Sequence, residues 1–233
     1  MFRLITDFDG PIMDVSERYY RVYRYCVARV TPANEPLREL SKVEFWHLKQ
    51  SQVSEQEIGL KSGLTADRAR DFARLRRETV HSTANLVFDR PLPGAVAALE
   101  KAKSLGWDLV VMTMRRQREL DEALDRCSLR KYFDRPHQRY CLDDHYTKTR
   151  DIDDKPLLME RAFSELPPAA ATWMVGDTEA DIAAARKAGV PIVSVLSGIR
   201  NQDRLSEHKP DFIVANLSEA IRLIVSETSH QAS

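Results

Sequence analysis

The sequence predicts an α/β fold: a mostly parallel sheet with helices on both faces, interrupted after its first strand by an all-helical segment. Three observations carry this. A short apolar run, Phe2 to Ile5, opens the chain and ends in Thr6-Asp7-Phe8-Asp9-Gly10-Pro11. Residues 14 to 90 then show only helical periodicity. From Pro91 onward, short apolar runs alternate with helical stretches, the rhythm of a parallel sheet covered on both sides.

The elements follow in order. Phe2 to Ile5 is a buried strand. Asp14 reads as a helix N-cap with Glu17 three residues on, and the helix runs to about Arg29 before Thr31-Pro32 breaks it. Helices are expected over Leu37 to Gln50, Ser54 to Leu60 and Thr65 to about Leu86. Beyond the boundary at Asp89 to Gly94, Ala95 to Ser104 is helical and Trp107 to Thr113 is a strand. Gln117 to Cys127 is helical. Arg130 to Asp154 is polar and irregular, with a short strand near Tyr140-Cys141-Leu142. Pro156 to Leu166 is a helix, opened by Lys155. Ala171 to Val175 is a strand, Glu179 to Ala188 a helix, Pro191 to Val195 and Phe212 to Val214 strands. Leu217 to Val225 is a last helix, with a frayed polar tail from Glu227. The two crossings of the insertion, Gly10-Pro11 and Pro91 to Gly94, should lie together over the strand ends.

Composition excludes several classes. The chain has 233 residues, 43% hydrophobic and 30% charged, with 35 basic and 35 acidic residues. A net charge of zero gives no argument for nucleic acid or an anionic membrane as partner. No apolar run is long enough to span a bilayer. Cys26, Cys127 and Cys141 are an odd set without metal-like spacing, and the start lacks a signal-peptide pattern. Reduced thiols in a cytoplasmic monomer or homodimer are therefore expected.

The chemistry begins at Asp7 and Asp9. Residues two apart on a strand point the same way, so both carboxylates can enter one site. Gly10 allows the turn behind them. Ligands in open α/β sheets bind at the carboxyl ends of strands. Three further polar groups fall at such positions: Thr113 before Met114 and Arg115, Lys155 before Pro156, and Gly176-Asp177-Thr178-Glu179-Ala180-Asp181.

In this order, Asp-x-Asp, Thr, Lys and Gly-Asp-x-x-x-Asp, the chain resembles the haloacid-dehalogenase-like hydrolases, in particular phosphatases of the phosphoglycolate phosphatase and β-phosphoglucomutase type. The resemblance implies a Rossmann-like core from residues 1–13 and 91–233 and a helical cap over 14–90. It implies Asp7 as nucleophile, forming an aspartyl-phosphate, and Asp9 as the acid and base. Thr113 would bind a phosphoryl oxygen, and Lys155 would balance charge and keep Asp7 ionised. Mg²⁺ would be held by Asp7, the Asp9 carbonyl and Asp177, with Asp181 at or just behind the ion. Met114 and Arg115 lie beside the phosphate site; His47 and Lys49 are the candidate substrate contacts from the cap, although Phe45 to Lys49 reads first as an amphipathic helix with Phe45, Trp46 and Leu48 in the core. An aspartate at position 9 resembles the phosphatases and phosphomutases, since the dehalogenases lack it and transport ATPases carry threonine there. Pro11 and the Met114-Arg115 pair depart from the usual pattern. The expected activity is Mg²⁺-dependent hydrolysis of a small phosphomonoester such as phosphoglycolate or a sugar phosphate. A phosphomutase and a non-catalytic sensor of a phosphorylated metabolite are the alternatives.

Overall fold

The computed structural model describes residues 1–36 and 38–231. Its centre is a six-stranded sheet of β1 (Phe2–Thr6), β4 (Asp108–Arg116), β5 (Arg139–Leu142), β6 (Ala171–Gly176), β7 (Ile192–Val195) and β8 (Phe212–Val214). The order is β5-β4-β1-β6-β7-β8, and every neighbouring pair is parallel. Parallel strands need crossover helices, and these cover both faces.

Successive strand residues point to opposite faces, and the two cores divide accordingly. Leu4, Val111 and Val175 pack with α6 (Ala95–Ser104), α7 (Gln117–Arg126) and α11 (Leu217–Gln231). Ile5, Val110, Met112 and Met174 pack with α8 (Asp151–Glu165), α9 (Glu179–Ala188) and α10 (Gln202–Glu207). With β1 at the middle of the sheet, Asp7 and Asp9 emerge between the ends of β4 and β6.

Between β1 and β4 the chain forms α1 (Ser16–Val30), α2 (Lys42–Gln50), α3 (Glu55–Lys61), α4 (Ala66–Thr79) and α5 (Thr83–Leu86). These helices bury an apolar cluster of their own, including Tyr23, Phe45, Ile58 and Phe72. The insertion is bounded by a two-strand antiparallel ribbon, β2 (Met13–Asp14) with β3 (Arg90–Pro91). Leu92 N–H also donates to the Ile12 carbonyl at 2.8 Å, so the crossings are side by side.

Several elements differ from the sequence expectation. The residue capping α1 is Val15, not Asp14; the Asp14 carboxylate instead accepts the Ser16 N–H at 2.8 Å. Glu17 is drawn to Arg21 and Lys42 and closes no capping box. The expected helix start at Leu37 lies outside the described residues; α2 begins at Lys42, where Ser41 and Glu44 form a reciprocal cap. The helix expected over Thr65 to Leu86 is two helices, parted after Thr79, whose hydroxyl bonds back to the Leu75 carbonyl. Strand β4 continues past Thr113 to Arg116, with an irregular register against β5. Helix α8 starts at Asp151, which places Lys155 in its second turn instead of at its opening. Asp151, Asp153 and Asp154 fill the first turn, where the helix dipole favours carboxylates. Helix α11 runs through Glu227 to Gln231, well past the expected end. The ribbon and α10 carry no periodic signal in the sequence. Among the described residues, no helix is long and apolar enough to cross a membrane.

Candidate active site

A cleft of about 280 Å³ opens where the strand ends meet the insertion. Asp7, Asp9, Thr113, Met114, Arg115, Lys155 and Asp177 all line it. Gly10 turns the chain away from the two carboxylates with a φ of +92°. The turn is held by bonds from the N–H groups of Gly10, Ile12 and Met13. Pro11 sits between these donors, so its missing N–H costs the turn nothing.

Lys155 is the hub of the buried acidic cluster. Its Nζ lies 2.9 Å from Asp7 Oδ2 and 2.5 Å from Asp181 Oδ1. The other Asp181 oxygen accepts the Asp177 N–H, the Thr178 N–H and the Thr178 hydroxyl. Both Asp181 oxygens are thus committed, one to the lysine and one to the start of α9. Asp177 is different: one oxygen accepts the Ile199 N–H at 2.7 Å, and among the described residues no side-chain cation is in an ion pair with it. Gly198 packs directly against Asp177, where a Cβ would come within 1.9 Å of the carboxylate.

Charge in this cluster does not balance. Asp7, Asp177 and Asp181 are buried, with carboxylate oxygens within 4.8 Å of one another, and Lys155 is the ammonium bonded among them. Burial pushes Asp7 up to about 7 against the pull of Lys155, with Asp181 adding to the rise. Lys155 acts on Asp7 in the direction the sequence reading expects, favouring the carboxylate against burial. Burial, then Asp181 and Asp7, also raises Asp177 well above the usual carboxylate range. Burial opposes the charge of Lys155, but Asp181 and Asp7 outweigh it and hold the ammonium above its ordinary range. Three buried carboxylates facing one lysine suit a hard divalent cation with oxygen preference. The donor set fits Mg²⁺, with Asp7 and Asp177 holding the oxygens best placed to receive it.

Asp9 sits in a second, basic setting. Arg115 Nη2 lies 2.6 Å from Asp9 Oδ1, and Arg115 Nε reaches both Asp9 oxygens at 3.1 and 3.2 Å. Arg18 of α1 approaches Asp9 Oδ2 at 3.6 Å. Burial opposes ionisation, yet Arg115 and then Arg18 hold the Asp9 carboxyl below its usual range. Behind them lies Asp89, fully buried, paired with Arg18 Nε at 2.9 Å and with Arg115 Nη2. Arg115 is consequently bound to two aspartates.

Thr113 is buried at the cleft wall, its hydroxyl accepting the Arg115 N–H at 3.2 Å. Arg116 also lines the cleft, and its guanidinium binds the carbonyls of Asp143, Asp144 and Tyr146, pinning the loop that precedes α8. His47 is exposed, and Lys49 Nζ is paired with Glu55 at 2.5 Å; neither lines the cleft. The insertion instead contributes Val15, Arg18, Tyr19, His81 and Leu86. His81 Nδ1 lies 3.2 Å from Arg18 Nη1. Desolvation and the Arg18 charge hold its imidazole below the ordinary range, though part of the residue stays exposed.

Arg18, His81, Asp89 and Lys148, which lines the cleft from the loop before α8, were not identified from sequence. Arg18 carried a readable signal: it lies between Val15 and Val22 on the apolar stripe of α1, where an arginine needs a buried partner. Asp89 had no such signal, because its partners come from residues 71 and 26 positions away.

Comparison with known proteins bears on the family and the fold. The family model described as haloacid dehalogenase-like hydrolase matches residues 4–189. A "Phosphorylated carbohydrates phosphatase" of Thermotoga maritima is 28% identical over 232 residues, covering 95% of this chain and 100% of that protein. The "Probable phosphatase IndB" of Dickeya dadantii is 29% identical over 160 residues; the alignment covers 64% of this chain and only 60% of that protein. A solved haloacid dehalogenase-like hydrolase of Streptococcus pneumoniae shares the fold, with a TM-score of 0.66 at 17% identity over 95% of this chain and 97% of that one.

Proposed function

The chain belongs to the haloacid dehalogenase-like hydrolases, and from that premise we propose that it is a Mg²⁺-dependent phosphatase of small phosphomonoesters. The observation that carries this reading is the division of the site into two electrostatic settings. Asp7 lies against Lys155 in a cluster short of positive charge, while Asp9 lies between two arginines. The two carboxylates therefore have different jobs.

Asp7 attacks phosphorus and the bond from phosphorus to the ester oxygen breaks. Asp9, held below the usual carboxylate range by Arg115 and Arg18 in the free protein, takes up a proton from solvent as the anionic substrate engages those arginines, and delivers it to that leaving oxygen. In the second half-reaction Asp9 takes a proton from water, which attacks phosphorus and releases inorganic phosphate, and Asp7 is regenerated. Lys155 offsets the charge gathered on Asp7 and the phosphoryl oxygens, and the Thr113 hydroxyl donates to one of those oxygens. Mg²⁺ held by Asp7 and Asp177 supplies neutralisation of the phosphoryl charge when bound. Asp181 orients Lys155 and the Asp177 backbone. The helical insertion acts as a cap, bringing Arg18, Tyr19 and His81 over the leaving group.

Phosphorylated sugars and phosphoglycolate are the first substrates to test, the former because the full-length relative acts on phosphorylated carbohydrates. A panel of phosphomonoesters assayed for released phosphate, with Mg²⁺ and with excess chelator, tests the reading. Phosphate release from a subset of esters, lost on chelation, is expected. Rearranged sugar phosphate without phosphate release would replace hydrolysis by phosphomutase activity.

A further inference from the structure

The loop after β7 has two working faces. On the inner face, the Ser197 hydroxyl donates to the Gly10 carbonyl at 2.7 Å and the Ile199 N–H donates to Asp177 Oδ2 at 2.7 Å. On the outer face, Gln50, the last residue of α2, grips the same loop at Gly198 and Asn201. Its side-chain amide donates to the Gly198 carbonyl at 3.0 Å, and its own carbonyl accepts the Asn201 N–H at 3.0 Å. These bonds bracket Ile199 from residues 148 positions away in sequence. Ser51 extends the seam, accepting from Asn201 Nδ2 and from Arg204 Nε, each at 3.1 Å. Outside this loop, Arg126 of α7 makes a separate contact between core and insertion, donating to the Leu86 carbonyl at 3.1 Å.

We propose that Gln50 is a positioning residue for the metal site. Fixing the residues on both sides of Ile199 fixes the direction of the Ile199 N–H. That N–H in turn occupies one Asp177 oxygen and turns the other toward Asp7. Docking of the insertion is thereby coupled to cation affinity, and the coupling works in both directions because linkage is reciprocal. This rests on the reading of Asp177 as a Mg²⁺ ligand. Gln50 touches neither substrate nor reacting atoms, so its effect is exerted through the loop.

The test is calorimetric titration of the full chain with Mg²⁺ alone. Gln50→Ala removes the amide, and Gln50→Glu keeps its size but replaces the donor with a charge facing the Gly198 carbonyl. Each is expected to weaken Mg²⁺ binding about tenfold, at the lower part of the range for coupled sites. Arg126→Ala breaks a contact between insertion and core that does not touch the loop, and is expected to bind Mg²⁺ as the parent does. Unchanged affinity in both Gln50 variants overturns the proposal, as does an equal loss in Arg126→Ala, which would assign the effect to docking in general. A parent chain that binds Mg²⁺ yet releases phosphate from no ester overturns the proposed phosphatase function and leaves the Gln50 comparison decisive.

Discussion

Asp9 and Asp89 hold the same two arginines. Arg115 forks between them, and Arg18 reaches Asp89 with Nε and Asp9 with Nη2. One aspartate lies at the cleft surface and the other is sealed beneath it. Asp89→Asn removes a buried counter-charge while leaving both guanidinium groups in place. The expected loss of stability is about 3 kcal/mol, the lower end for breaking a buried ion pair, read from urea denaturation. Because Arg115 is then free to shift, kcat is expected to fall more than KM changes.

Asp7→Asn is expected to abolish phosphate release and to stabilise the metal-free protein above neutral pH. The folded carboxyl is raised from 3.8 to about 7, chiefly by burial. Between those values the folded state holds a proton that the unfolded chain has lost, so stability falls as pH rises through that window. Asparagine has no such proton. Thermal melts in chelator at pH 5 and pH 8 should show a larger drop for the parent than for the variant. Equal drops in both would contradict the assignment.

Mg²⁺ affinity should rise from pH 5 to pH 8, with protons released on binding. Asp7 and Asp177 are both raised by burial, so cation and proton compete for the same oxygens. Calorimetry in two buffers of different ionisation enthalpy measures the released protons directly. A flat affinity across that range would place the cation elsewhere.

Gly198→Ala tests the wall behind Asp177. The backbone there is not left-handed, so the added methyl acts through contact alone, at 1.9 Å from Asp177 Oδ2. Asp177 must move to admit it. A stability cost of about 1–3 kcal/mol is expected, the usual range for an overpacked site. Mg²⁺ affinity is expected to fall on the order of tenfold, about 1.4 kcal/mol of lost binding.

What could be read from sequence follows a simple physical line. The Asp7–Asp9 pair and the Gly176 to Asp181 segment were legible because each is local, with catalytic spacing and secondary structure set by neighbouring residues. Helices α6 and α9 fall at the expected bounds for the same reason. The surroundings of Asp9 were not legible. Arg18, Arg115 and Asp89 come from an inserted helix, a strand end and a linker, and only the folded chain brings them together. His47 and Lys49 show the converse. Their charges suggested contact with substrate, but Lys49 is held by Glu55 and His47 faces outward.

The ribbon of Met13–Asp14 with Arg90–Pro91 gives the helical insertion a common doorway for entry and exit. Everything between the two crossings can be lengthened, shortened or exchanged without rethreading the sheet. On the proposed function, the chemistry at Asp7 and the choice of leaving group would thus sit on separable parts of the chain. Such an enzyme can acquire a new substrate by remodelling one excursion of the chain, while the machinery that breaks the phosphate ester stays as it is.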